Sequence, residues 1–269
     1  MTRPAPAGWQ PRLVALDVDG TLVDWGEGVQ SVSAPVRAAV LGAVDAGAHV
    51  VISTGRSVPG VLEAAGLVGL DSGLAVASNG AVTMSFPPVE VLDVVTFDAS
   101  ETVKLLLEEV PDAHVAVEEV GRGYRINKEF PEGEISGEMI VQTVEELVAE
   151  PVTRVIIRSP DQSVEDFADL AQRLGLHGIN YYVGYTAWLD LAPQGVSKAT
   201  GLESIARRLD VAQADVLALG DGHNDVEMLQ WAGRGVAMGQ SPLAVQEIAD
   251  DVTESVQADG VAYELSRWF

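Results

Sequence analysis

The chain has 269 residues, 47% of them hydrophobic, with a formal net charge of −24 and no cysteine. That length allows one large domain or two smaller ones with a sizeable core, and the acid excess argues against nucleic acid or an anionic membrane surface as partners. No apolar stretch approaches 18 residues, so no membrane-spanning helix is expected, and the lack of disulfides and thiolate metal sites fits a cytoplasmic protein.

Met1 to Gln10 is rich in Pro and Ala and reads as a loose tail running to residue 11. Leu13 to Leu16 is fully apolar, as suits a strand buried on both faces of a parallel sheet. It ends in Asp17, Asp19, Gly20 and Thr21. Open parallel sheets bind ligands outside the carboxyl ends of their strands. Carboxylates spaced i, i+2 share one side of an extended chain, and their repulsion calls for a cation or a shared proton. The pattern therefore fits a divalent metal site, an acid/base pair, or plain turn chemistry.

Ser31 to Gly47 reads as a helix capped by Ser33, with Pro35 in its first turn and an apolar stripe of Val36, Ala39, Val40, Ala43 and Val44. His49 to Arg56 is a second apolar strand, ending in Ser53, Thr54, Gly55 and Arg56. A helix over Ser57 to Gly66 and a third strand from Leu74, ending in Ser78, Asn79 and Gly80, follow. This alternation argues for a doubly wound parallel sheet, an α/β core.

The pattern then changes. Strands are expected at Val91–Phe97, Ala113–Glu119, Tyr124–Asn127, Val152–Ser159 and Ile179–Tyr185. Helices are expected near Ser100–Val110, Ser136–Ala149 and Asp161–Leu174. Several strands alternate apolar with polar residues, as Val115 and Val117 do with His114, Ala116 and Glu118. Such alternation signals a half-exposed, mostly antiparallel sheet. An inserted α+β domain is therefore expected over residues 84–188, with the α/β core over 12–83 and 189–269.

The first pattern resumes with a helix at Ser197–Leu209 and a strand Val216–Gly220 ending in Asp221. A helix from Asn224 to Trp231, a strand at Gly235–Met238, a helix at Pro242–Asp250 and an amphipathic segment at Gly260–Trp268 complete the chain.

Four strands thus deliver polar ends, three carboxylates among them, to one sheet edge. Oxygen ligands suit a hard cation such as Mg2+, and no histidine pair has the spacing of a zinc site. Of three lysines, Lys198 stands at a helix start, where a cation opposes the helix dipole. A phosphate-facing role would explain it; a solvated surface position is the plainer reading. Asp225 suits the first turn of its helix, or supports a metal or the lysine from behind. Arg122, Arg125 and Lys128 form the densest cationic cluster, and pairing with Glu118, Glu119 and Glu129 is preferred over contact with a second anion on a substrate.

Asp17-Val-Asp-Gly-Thr21, Thr54-Gly-Arg56, Lys198 and Gly220-Asp-Gly-His-Asn-Asp225 resemble, in order and spacing, the four signatures of the haloacid dehalogenase-like phosphatases. Ser78-Asn-Gly-Ala81 and the segment Trp188 to Lys198 resemble the Cof-type branch, which carries a large α/β cap after the third strand. One departure is Ala199, where that branch usually has glycine.

The resemblance implies a Mg2+-dependent phosphatase acting on a small phosphorylated metabolite such as a sugar phosphate. Asp17 would be the nucleophile and Asp19 the acid and base. Asp17, Asp221 and Asp19, the last by its backbone carbonyl, would hold the metal, supported by Asp225. Thr54, Gly55, Arg56, Asn79, Lys198 and Asn224 would bind the substrate. The cap would close over the site, and the protein would be a monomer or homodimer. A phosphomutase of the phosphomannomutase type and a non-catalytic metabolite-binding protein are the alternatives.

Overall fold

The computed structural model describes residues 8–24, 29–131, 133–159, 163, 165, 169–170, 173, 179–183 and 188–269. Most of the tail, most of the helix expected at Asp161–Leu174 and the end of the strand expected at Ile179–Tyr185 lie outside them.

The first part of the chain runs β1 (Leu13–Leu16), α1 (Ala34–Asp45), β2 (His49–Ser53), α2 (Val58–Val68), β3 (Gly73–Ala77), β4 (Val82–Phe86) and β5 (Glu90–Val94). Next come α3 (Ser100–Glu109), β6 (His114–Glu119), β7 (Gly123–Ile126), β8 (Glu138–Val141), α4 (Val144–Leu147), β9 (Val155–Arg158), β10 (Ile179–Val183) and β11 (Trp188–Pro193). Last are α5 (Lys198–Arg208), β12 (Val216–Gly220), α6 (Val226–Trp231), β13 (Arg234–Ala237), α7 (Leu243–Ile248), β14 (Asp251–Val252) and α8 (Gly260–Leu265).

β1 sits mid-sheet because none of its side chains needs water: all four residues are fully buried. It pairs in parallel with β2 on one side and β12 on the other. The eight-stranded sheet has the order β14-β13-β12-β1-β2-β3-β4-β5, with β4 and β5 antiparallel. Successive side chains serve opposite faces. Val14 and Leu16 pack with Val36, Val61 and Val261 from α1, α2 and α8. Leu13 and Ala15 pack with Leu202, Met228 and Val245 from α5, α6 and α7. Helices therefore cover both faces, as a parallel sheet requires. α1 starts where expected, the Ser33 hydroxyl accepting from the Val36 amide at 3.2 Å.

The second sheet has the order β10-β11-β9-β6-β7-β8, antiparallel except between β7 and β8. One face packs on α3 and α4 through Val115, Val117, Val155 and Leu147. The other carries Ala116, Tyr124, Ile126 and Ile156. Alternation along β6 therefore separates two covered faces, and Glu118 is buried rather than solvated.

Three expectations change. The strand expected at Val91–Phe97 within the insertion is β5, the edge of the eight-stranded sheet, so sheet membership switches after Val94 rather than at residue 84. On the return it switches after Pro193, since β11 belongs to the second sheet. The helix expected at Ser136–Ala149 is instead β8 followed by the single turn α4. Left-handed Gly137 (φ +101°) precedes β8, which pairs with β7, and Thr143 starts the helix anew with a capping box to Glu146.

Asp93 on β5 accepts from Thr83 at 2.7 Å, from Ser204 at 2.8 Å and from Arg208 at 2.7 Å. This ties the last strand before the excursion to the first helix after it. No helix among the described residues is long and apolar enough to cross a membrane.

Candidate active site

The four polar strand ends meet at the carboxyl edge of β1, β2, β3 and β12. Asp17, Ser53, Thr54, Ser78, Asn79 and Asp221 are all buried there. Lys198 reaches them from the first turn of α5 and is 1% exposed, so the plainer surface reading fails. Its ammonium donates to Asp17 Oδ1 and to Asp225 Oδ1, both at 2.6 Å. Burial opposes the lysine charge, but these two carboxylates outweigh it and hold the ammonium above its ordinary value.

Oxygens of Asp17, Asp221 and Asp225 lie within 4.8 Å of one another. Burial and Asp225 push the Asp17 carboxyl well above its usual value, Lys198 opposes this, and Asp221 and Asp19 add to the rise. One lysine among so many carboxylates leaves the pocket anionic, which is the electrostatics of a divalent cation site. The donor set is all oxygen, and at the same strand ends Thr21 Oγ1 and Ser53 Oγ are buried with no hydrogen-bond partner among the described residues. The residues fit a hard cation. Within the triad Asp225 is already committed: Oδ1 takes Lys198, and Oδ2 accepts the Asp221 and Gly222 amides at 3.0 and 2.9 Å. Asp17 and Asp221 are the carboxylates better placed as ligands, and Asp225 supports both the lysine and the loop.

Asp19 is turned elsewhere. Its carboxylate lies on Arg56, with Nη2 to Oδ1 at 2.6 Å and Nε to Oδ2 at 2.9 Å. Arg56 also donates to Gln30 at 2.9 Å, so its guanidinium faces Asp19 and Gln30 here. Thr54 Oγ1 accepts from the Arg56 amide at 3.1 Å, which shapes the loop after β2. Gly20 (φ +77°) packs so closely on Asp221 that a Cβ would collide with its carboxylate. Gly55 lies against the Asn79 amide, where a Cβ would come within 3.0 Å of Oδ1. Asn224 donates to Asn79 Oδ1 at 2.9 Å.

Among the described residues no hydrogen bond or ion pair joins the cationic cluster to the site. Arg122 pairs with Glu138 at 2.7 Å, Arg125 with Glu119 at 3.1 Å and Lys128 with Asp112 at 3.4 Å. The preferred reading of paired surface charge stands, with two of the partners different from those expected.

Several contributors escape the sequence reading. Gln240 donates to the Gly20 carbonyl at 2.5 Å and accepts from the Val256 amide at 3.0 Å. It follows β13, so applying the strand-end rule to that strand points to it. Glu118 and Asp190 come from the second sheet and meet Ser78 at 2.6 Å and Asn79 at 3.1 Å. The signal for Asp190 is a lone acid inside an apolar strand, which must have a buried partner.

Comparison with known proteins gives a consistent result. The family model described as haloacid dehalogenase-like hydrolase matches residues 14–265. The 5-amino-6-(5-phospho-D-ribitylamino)uracil phosphatase YitU of Bacillus subtilis is 28% identical, over 97% of this chain and 98% of its own. A phosphoglycolate phosphatase of Natronomonas pharaonis is 31% identical, over 94% and 96%. The structure of a Bacteroides thetaiotaomicron protein, described among phosphatases of the haloalkanoate superfamily, is 28% identical with a TM-score of 0.78, covering 98% of both chains.

Proposed function

The chain belongs to the haloacid dehalogenase-like hydrolases, and from that premise we propose that it hydrolyses phosphomonoesters of small metabolites, sugar phosphates or related compounds, through an aspartyl-phosphate on Asp17. It is a phosphoric monoester hydrolase, in keeping with relatives named as phosphatases. The observation that carries the residue assignment is the buried Lys198 ammonium bridging Asp17 and Asp225 at 2.6 Å. It pins one Asp17 oxygen, and a cation held beside that carboxylate supports a role for Lys198 against phosphoryl oxygens.

In the first half-reaction Asp17 attacks phosphorus, the bond from phosphorus to the ester oxygen breaks, and Asp19 protonates the departing alkoxide. In the second, Asp19 takes a proton from water. That water attacks phosphorus, the bond to Asp17 breaks and inorganic phosphate leaves. Lys198, Thr54 and the amides following Asp17 stabilise charge on the phosphoryl oxygens. Mg2+ held by Asp17, Asp221 and the Asp19 carbonyl would neutralise part of that charge and orient the phosphoryl group. Arg56 favours the ionised form of Asp19, the base of the second half-reaction, so the pair must part for Asp19 to serve as acid in the first. The six-stranded sheet with α3 and α4 acts as the cap, covering the site through Glu118 and Asp190 and choosing the leaving group. The two relatives act on dissimilar phosphates by name, so the substrate is left to the cap.

Phosphate release from a panel of phosphomonoesters, with Mg2+ and with EDTA, tests the reading. Mg2+-dependent release that Asp17→Asn abolishes without loss of fold supports it. Release that survives in the Asn variant overturns the nucleophile, and no release from any compound by the wild type overturns the activity.

A further inference from the structure

A short turn, Ser78-Asn79-Gly80, touches nearly every part of the site. The Ser78 amide donates to the Arg56 carbonyl at 2.8 Å and the Asn79 amide to the Thr54 carbonyl at 3.1 Å. Gly80 packs directly on the Ser197 carbonyl, next to Lys198. Ser78 and Asn79 are both left-handed, with φ of 52°. Two adjacent non-glycine residues hold that backbone only when their surroundings impose it, and such strain gathers at functional sites.

The second sheet meets this turn through its side chains. Asp190 accepts from Asn79 Nδ2 at 3.1 Å and is itself gripped by Arg154, at 2.8 Å from Nε and 2.6 Å from Nη2. Arg154 also donates to Tyr124 Oη at 2.8 Å. Asp190 and Arg154 are 5% and 6% exposed. A carboxylate paired with arginine can only accept, so the NH2 end of Asn79 must face it. Asn79 Oδ1 then faces Asn224, whose own NH2 must donate to it. That fixes Asn224 with its Oδ1 over Gly222, where a Cβ would meet it at 2.6 Å, beside Asp221.

We propose that Arg154 and Asp190 are positioning residues: they set the amide orientation of Asn79, and through it that of Asn224, so that the cap sheet dictates which end of Asn224 the catalytic loop presents. Each link fixes the next because an amide has one donor end and one acceptor end. The relay is complete only while the second sheet is seated on the first. Its effect on turnover rests on the phosphatase reading; its geometry does not.

Removing one member of a buried ion pair often unfolds a protein, whereas an apolar pair of similar volume is tolerated. The test therefore uses the double variant Arg154→Met with Asp190→Leu in the full chain, checked for fold by thermal melt. Side-chain amide signals of Asn79 and Asn224 are followed by 15N NMR, without metal or substrate. The relay requires both to move in the double variant, and Asn224 to move in Asn79→Ala. In turnover of the best phosphomonoester with Mg2+, kcat falls by roughly 10- to 100-fold, as for other supporting contacts, with KM little changed. A folded double variant with Asn224 unmoved overturns the relay, as does unchanged kcat. An inactive wild type counts against the phosphatase reading instead, and the NMR result still decides the relay.

Discussion

Arg56 grips both carboxylate oxygens of Asp19, and this contact separates the two duties assigned to that aspartate. A fork of two charge-assisted bonds favours the anion, which is the form that activates water. Arg56→Met is expected to slow breakdown of the aspartyl-phosphate more than its formation, by about 10²-fold for a weakened general base. Rapid mixing should show a burst of leaving group, one per enzyme, before a slow steady state. A steady state without a burst would place the role of Arg56 in the first half-reaction.

Gly20 meets two demands at once, a left-handed backbone and direct contact with the Asp221 carboxylate. Gly20→Ala is expected to destabilise the chain by at least ~1–2 kcal/mol from the backbone alone. Displacing Asp221 should also weaken cation binding. An ion bound at a hundred times its dissociation constant adds ~2.7 kcal/mol to stability. Thermal melts with Mg2+ and with EDTA should show a clear rise for the wild type and a much smaller one for the variant. An equal rise in both would remove Asp221 from the metal site.

Glu118 is buried at the seam between the sheets, and that burial raises its carboxyl above the ordinary value against the pull of Ser78, Arg154 and Thr153. The folded protein therefore keeps this proton at pH values where the unfolded chain has already lost it. Stability falls as pH rises from about 4.3 through the raised value, by ~1.4 kcal/mol for each pH unit crossed in that window. Glu118→Gln, which cannot ionise, is expected to melt above the wild type at pH 7, with the gap closing towards pH 4. A gap that does not change with pH would show that Glu118 is not the source.

Neutralising Arg122, Arg125 and Lys128 together is expected to leave substrate preference unchanged, since each is paired with an acid that is not a residue of the candidate site. Ion pairs at or near the surface are screened by water and add little to stability. A profile of relative rates across the phosphomonoester panel checks it. A changed ranking would mean that the cluster turns towards the substrate during turnover.

The core of the fold was legible because its strands are short, apolar and end in polar groups, and β1 shows the rule at its plainest. The site followed from the same regularity, since parallel strands deliver Asp17, Thr54, Asn79 and Asp221 to one edge. What escaped depends on contacts distant in sequence. Nothing local in Glu138–Val141 distinguishes a strand paired with β7 from the helix expected there. β5 looks like the alternating strands that follow, and only its pairing with β4 assigns it to the larger sheet. Arg56 has the composition of a phosphate ligand, yet its partner Asp19 lies 37 residues earlier.

The clasp around Asp93 has a consequence for how such a protein diversifies. The chain leaves the eight-stranded sheet after β5 and returns at α5, and Asp93 fastens these two points to each other through Ser204 and Arg208. The roughly one hundred residues between them hang from a base that is already closed. Exchange of that whole segment for one of different shape would leave Asp17, Lys198 and their scaffold undisturbed. A chimera joined at residues 95 and 196 is then a natural vehicle for new substrate preferences, provided the transplanted segment brings its own acid to meet Asn79.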